Sequence, residues 1–202
     1  MRNRVEQPDA PRVDIRGDKV VIREKRLQDV GNDYSWRIDE ELSRLDATQP
    51  LRMTFTDFSR FSKEEILYDS STSRRLAIDT LDGLHIGNCM YYDINLECHE
   101  AEIGIMIGDR NFWDKGYGSD AITALLNHIF VTTSLNRIYL HTLECNLRAR
   151  RSFAKVGFHE VKAVRRDTLD FIQMEINRTV WQNSQPDQHT GSPGTVLEGD
   201  SQ

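Results

Sequence analysis

The chain has 202 residues, with 32 acidic against 26 basic side chains and a formal net charge of −6. That length suits one domain with tails and can bury a core without disulfides or metals. The acidic balance argues against non-specific nucleic-acid binding, and no run of about 18 apolar residues offers a membrane span.

Residues 1–12 are polar, carry Pro8 and Pro11, and read as a loose arm without the apolar stretch of a signal peptide. Val13–Arg16 and Lys19–Glu24 around Gly17-Asp18 read as a short hairpin or an irregular first strand. Gln28–Glu41 reads as one helix. Ser62–Asp69 opens with SKEE, a capping-box pattern, and reads as a second helix. Arg75–Thr80 and Leu84–Tyr92 flank Asp82-Gly83 and predict a hairpin. Ala101–Ile107 alternates apolar residues and predicts a third strand of that meander. Ser119–Thr132 places Ala121, Ile122, Leu125, Leu126, Ile129 and Phe130 on one helical stripe. Arg137–Leu143 predicts a strand, Leu147–Val156 a helix ending at Gly157, and His159–Arg166 with Thr168–Arg178 a closing hairpin. From Gln182 onward the chain is rich in Gly, Pro, Ser, Asp and Gln, and reads as a disordered tail. One domain over residues 13–181 follows. Cys89, Cys98 and Cys145 form no CxxC pair, which fits a reduced, cytoplasmic setting.

Strand, helix and strand over residues 101–143 predict a parallel crossover, and ligands in such sheets sit beyond the carboxyl ends of the parallel strands. There the sequence reads GDRNFWDKGYGSDA, residues 108–121. Gly116 and Gly118 just before a helix allow backbone N–H groups to approach a pyrophosphate, aided by the helix N-terminus. A tight turn with a helix cap would look the same. No GK[ST] follows, so it is not a Walker loop, and no third glycine completes a dinucleotide fingerprint. Residues 146–166 carry Arg148, Arg150, Arg151, Lys155, Lys162, Arg165 and Arg166 against Glu160 alone, a local basic excess suited to an anionic ligand. His99, Glu100 and Glu102 do not form HExxH, and no metal site is predicted.

AEIGIMIG followed by FWDKGYGSDA, with NRIYLHTLECN and Asn146-Leu-Arg-Ala149-Arg-Arg-Ser-Phe153-Ala-Lys155-Val-Gly157-Phe158 downstream, resembles the GCN5-related N-acetyltransferase (GNAT) family, nearest its RimJ/RimL-like branch. The resemblance covers about 60 residues, with Trp113 replacing the usual Gln or Arg of the loop. It implies an α+β fold: a mixed, mostly antiparallel twisted sheet of six to seven strands with one splayed parallel pair and about four helices. It implies acetyl-CoA as co-substrate. The pantetheine arm would lie along the splayed strands near Gly104 and Met106. The amides of residues 110–119 (Arg110, Lys115, Gly116, Tyr117, Gly118 and Ser119 among them) would hold the pyrophosphate, with Arg110, Lys115 and Arg151 as cationic partners.

The resemblance further implies transfer to a primary amine by direct attack in a ternary complex. Glu102 is the candidate proton acceptor and the N–H groups near Met106 and Ile107 the oxyanion donors. Asn146 would order the pantetheine or the strand–helix turn. The family's usual Tyr proton donor is replaced by Phe153, so Ser152, Cys145 or water would protonate the thiolate. Trp36 beside Asp39, Glu40 and Glu41, together with Tyr91, Tyr92 and His141, are candidates for the acceptor cleft. The acceptor is either a protein N-terminus or a small amine such as a polyamine or aminoglycoside, and the protein a monomer or homodimer with no nucleic-acid or membrane partner. A non-catalytic acyl-CoA-binding sensor or interaction module is the alternative that Phe153 keeps open.

Overall fold

The computed structural model describes residues 13–67, 70 and 72–184. The expected arm over residues 1–12 and the expected tail from residue 185 lie outside the described residues.

The chain opens with a hairpin of β1 (Asp14–Arg16) and β2 (Val20–Glu24). A 3-10 turn at Leu27–Asp29 leads into α1 (Val30–Ile38), α2 (Glu40–Leu45) and α3 (Phe55–Leu67). The expected single helix over Gln28–Glu41 is therefore broken. Asp39 takes an extended conformation, and its carboxylate accepts the Leu42 N–H at 2.9 Å, so it starts a new helix. α3 begins upstream of the expected Ser62. The Thr54 hydroxyl accepts the Asp57 N–H and donates to the Asp57 carboxylate at 2.8 Å, while Ser62 is buried mid-helix.

β3 (Ser73–Thr80) and β4 (His85–Asn95) form the expected hairpin. Gly83 adopts φ +85°, and its N–H closes the turn on the Thr80 carbonyl. β5 (Glu100–Ile107), α4 (Tyr117–Thr132), β6 (Arg137–Leu143), α5 (Leu147–Val156), β7 (His159–Arg166) and β8 (Leu169–Asn177) follow. α6 (Arg178–Ser184) ends the described chain. It includes residues 182–184, which the composition assigns to the tail. Trp181 is buried against Phe130, and Arg178 donates to the carbonyls of Phe130, Thr133 and Leu135, so contacts distant in sequence order this helix.

One eight-stranded sheet results, in the order β1-β2-β3-β4-β5-β6-β8-β7. It has the expected mixed, mostly antiparallel architecture, extended by one strand beyond the six to seven read from the sequence. The parallel pair is β5–β6. Its core faces α4: Ile22, Ile78, Ile86, Ile103, Ile138 and Met174 of the sheet meet Ile122, Leu125, Leu126 and Ile129 of the helix, all at or below 3% exposure. Each such side chain contributes about 1.5–3 kcal/mol when fully buried.

The functional geometry starts at the parallel pair. β5 and β6 pair only at Glu100↔Arg137, Ala101↔Ile138 and Glu102↔Tyr139. β5 continues to Ile107 along β4, and β6 continues to Leu143 along β8, with no further rungs between them. Beyond Glu102 the two strands diverge and leave backbone groups facing a gap.

Candidate active site

The gap opens into a cleft of about 550 Å³. Ile105, Met106 and Ile107 of β5 form one wall, Gly116, Gly118 and Ser119 at the start of α4 its head, and Arg148, Arg151, Ser152, Phe153 and Lys155 of α5 the opposite wall. Leu42, Leu45 and Asp46 close it from α2.

The loop before α4 has the geometry of an anion cradle. Gly116 takes φ +86°, a conformation open to glycine and strained for other residues. Its carbonyl accepts the Asp120 N–H, the first helical bond, so the amides of Tyr117, Gly118 and Ser119 have no intrahelical acceptor. Three cationic side chains of α5, Arg148, Arg151 and Lys155, line the same cleft. These features fit a diphosphate-bearing donor with further anionic groups.

Trp113 is part of the cleft wall as well as packing. Its Nε1–H donates to the Ile107 carbonyl at 2.6 Å, and the Arg148 guanidinium lies 3.3 Å from the ring centroid. Burial pulls the Arg148 ionisation downward, against the attraction of Asp114 and Glu41. A guanidinium stacked this way is held flat, with its edge donors free for an anion.

Several expectations change. Arg110 does not line this cleft: its guanidinium pairs with Asp39 at 2.8 Å and Glu41 at 2.9 Å. Those bonds hold the Asp39 carboxyl below the usual carboxylate range and push Arg110 upward. Carboxylates about 70 residues upstream in sequence neutralise the cation before a phosphate could. Lys115 contributes its carbonyl, which accepts Lys19 Nζ at 3.0 Å, and not its ammonium. Lys19, unremarked in the sequence, reaches from the β1–β2 turn and lies 5.6 Å from the Tyr117 ring centroid. Tyr117 turns its ring onto Phe112 and does not line the cleft.

Asn146 lines the cleft and caps α5, its Oδ1 accepting the Ala149 N–H at 3.2 Å. Ser152 faces the cleft. Phe153 borders it too, but its ring is 5% exposed and packs edge-on against Phe158, so an aromatic hydroxyl is replaced by core. Cys145 is exposed and outside the cleft lining.

The acceptor candidates separate. Tyr91 is buried in the core beside Ile103 and cannot meet a substrate. Trp36 is 8% exposed, lies 4.9 Å from the His85 ring, and lines a smaller depression with Asp39, Asp109 and Arg110. It packs over Gly108, where a Cβ would come within 2.1 Å of the indole. His141 sits at the apex of the splay, its Nδ1 2.9 Å from Glu102 Oε1. Leu42 and Leu45 are wall residues that sequence reasoning missed. The signal was present: Asp39 followed by Glu40 and Glu41 is a helix-start pattern.

The acetyltransferase (GNAT) domain profile matches residues 19–159. The chain belongs to the GNAT acetyltransferase family. It is 27% identical over 157 residues to alpha/beta-tubulin-N-acetyltransferase 9 of Homo sapiens, covering 72% of this chain and 74% of the relative. It is 28% identical over 126 residues to the uncharacterized N-acetyltransferase p20 of Bacillus licheniformis, covering 60% and 68%. A Vibrio cholerae spermidine N-acetyltransferase, solved in complex with CoA and spermine, superposes with a TM-score of 0.72 at 20% identity, covering 81% of this chain and 98% of that one. This GNAT domain is thus an acyltransferase, with acetyl-CoA as co-substrate and an amine as the acceptor class. Among the described residues, no helix is long and apolar enough to cross a membrane, and no cluster of three His, Cys, Asp or Glu side chains could hold a metal ion.

Proposed function

We propose that this protein transfers an acetyl group from acetyl-CoA to a primary amine of a small polycation, by direct attack with both substrates bound. The observation that carries the reading is a juxtaposition: a cleft headed by Gly116, Gly118 and Ser119 and walled by the unpaired edge of β5, with the Glu102–His141 pair at the last rung before β5 and β6 part.

The head and the α5 cations, Arg148, Arg151 and Lys155, bind and orient the anionic part of the donor. The exposed β5 edge offers backbone groups to the pantetheine amides, as an added strand would. The N–H groups near Met106 and Ile107 border the place where thioester oxygen develops charge. A Lys-type amine has a pKa near about 10.4, so it arrives as an ammonium and must lose a proton before it attacks. The Glu102–His141 pair supplies the acceptor for that proton. Ser152 is placed to donate a proton toward the departing thiolate, a role Phe153 cannot fill.

The net charge of −6 favours a cationic acceptor, and Tyr92, Glu102 and Tyr139 form a polar row at the splay beside His141 and Arg166. A protein N-terminus is the competing acceptor. Calorimetric titration with acetyl-CoA, followed by thiol release with spermine and with an N-terminal peptide of neutral composition, tests the reading. Acetyl-CoA binding with thiol release on spermine supports it. Release on the peptide alone moves the acceptor to a protein terminus. Binding without release on any amine indicates a non-catalytic acyl-CoA-binding module.

A further inference from the structure

Strand register places one row of polar side chains across the middle of the sheet. Tyr92 of β4 pairs with Glu102 of β5, and Glu102 pairs with Tyr139 of β6. Paired residues share a face, and this face is opposite to that of buried Ala101 and Ile103. His141 is the next residue of β6 on the same side.

Glu102 and His141 are deeply set, their side chains 9% and 8% exposed. A carboxylate has no proton to give, so at the 2.9 Å contact His141 Nδ1 carries the hydrogen and donates to Glu102 Oε1. That choice leaves a lone pair on Nε2. The ring is steadied by Tyr139, edge-on with centroids 5.9 Å apart. The exposed Arg166 of β7 has its Nη2 3.1 Å from Nε2, where it donates to that lone pair, and 3.2 Å from Nδ1, so this exposed guanidinium must swing aside when Nε2 takes a proton. Gln173 of β8, the register partner of His141, is neutral.

Position adds to chemistry. Glu102↔Tyr139 is the last rung of the parallel pair, so His141 stands where the strands first separate. On β5 the next residue of this face is Gly104, and the one after it, Met106, lines the cleft. Gly104 has no side chain, and a Cβ there would meet Met90 and Tyr92 at 3.4 and 3.7 Å. The row that carries Glu102 thus runs through Gly104 to Met106, which lines the donor cleft. Glu102 itself is engaged with Nδ1–H, and the Tyr92 hydroxyl, pushed upward by burial and by the facing Glu102, stays protonated beside it.

We propose that His141 Nε2 is the group that takes the proton from the amine, and that Glu102 is a positioning residue that fixes the imidazole tautomer. This rests on the acetyl-transfer reading above. The neutral amine attacks the thioester carbonyl carbon, the C–N bond forms, and the N–H proton passes to Nε2. The C–S bond then breaks, its electron pair leaves on sulfur, and the thiolate takes a proton relayed through Ser152 from solvent while His141 releases its proton to solvent. An ammonium acceptor gives its extra proton to solvent through the same nitrogen before attack. The carboxylate acts as the acid does in a Ser-His-Asp arrangement, orienting the ring without taking the proton.

The first test needs no substrate. Nitrogen-15 spectra of histidine-labelled full-length protein, with His141→Gln to assign the signal, report which ring nitrogen is protonated. A protonated Nδ1 and bare Nε2 in wild type, with that preference lost in Glu102→Gln, is the expected result; a protonated Nε2 in the neutral ring overturns the proposal. The second test uses thiol release with spermine, or with the amine that releases thiol fastest. His141→Gln should lower kcat by about 10²–10⁴-fold while KM for acetyl-CoA moves less than about threefold. Added imidazole should restore part of the rate of His141→Gly. If His141→Gln keeps wild-type kcat while Glu102→Gln loses it, Glu102 is the proton acceptor and the proposal fails. Retained acetyl-CoA affinity in each variant separates lost chemistry from lost folding. Wild type that acetylates no amine sinks the transfer reading instead, and the tautomer spectra, taken without substrate, keep the two failures apart.

Discussion

Gly17 is held against Asp120: a Cβ on Gly17 would fall 2.4 Å from the Asp120 carboxylate oxygen. That carboxylate accepts the backbone N–H groups of Asp18, Lys19 and Val20 at 2.8–3.1 Å. One side chain in the first turn of α4 thus clamps the β1–β2 turn beside the anion cradle. Asp120→Ala leaves three donors without their charged acceptor. A loss of about 1–3 kcal/mol is expected in urea unfolding, with Asp120→Asn intermediate. Wild-type stability for Asp120→Ala would show the clamp to be dispensable.

Arg110 and Arg148 are predicted to differ in kind. Arg148 lines the donor cleft and is stacked on Trp113, so Arg148→Lys, which keeps charge but loses the flat stack, should weaken acetyl-CoA binding at least fivefold by calorimetry. Arg110 is committed to Asp39 and Glu41, and Arg110→Ala should leave that affinity within about threefold. The reverse ranking would return Arg110 to the cofactor site.

Gly108 should resist substitution for a steric reason. A Cβ there would sit 2.1 Å from the Trp36 indole, so Gly108→Ala should cost about 1–3 kcal/mol through overpacking. Trp36→Ala opens the space at its own cost of about 3–5 kcal/mol. In the double variant the two losses should sum to less than the separate values, measured by chemical denaturation. Additivity would show that the two sites do not share that contact.

His85 makes stability depend on pH in the mildly acidic range. Burial holds its imidazole below the ordinary value of 6.5, reinforced by Lys25 and opposed by Asp29 and Asp33, with Asn88, Asn32 and Trp36 also packed against it. Its folded-state affinity for a proton is lower than in the unfolded chain, so below 6.5 the unfolded state binds the extra proton and stability falls as pH falls. The neighbouring Asp29 acts in the same direction at lower pH: burial raises it, but the Arg23 and Arg26 hydrogen bonds prevail and hold it below its ordinary 3.8. Thermal midpoints measured from pH 7.5 to 5 should decline, and His85→Gln should flatten the upper part of that decline. An unchanged slope would remove His85 from the account.

Much of the chain was legible as local pattern. The Asp82-Gly83 hairpin, the apolar stripe of α4, the Gly157 stop of α5, and the glycines at 116 and 118 all act within a few residues, and each stands where its spacing put it. The helix starts at Asp39 and Thr54 were equally local but were masked by a stronger-looking helical run and a second capping pattern at Ser62.

The sequence by itself determined the element types, the anion-cradling loop and the family. Tertiary structure alone decided which charges were free to work. Arg110 meets carboxylates about 70 residues away, Lys19 reaches a carbonyl 96 residues away, and Glu102 faces His141 39 residues on. Tyr91 and Trp36, alike exposed candidates by type, are both buried. The reason is physical: a backbone turn is fixed by the dihedral preferences of adjacent residues, whereas an ion pair or a proton acceptor is made by whichever side chains strand register and helix packing bring within about 3 Å.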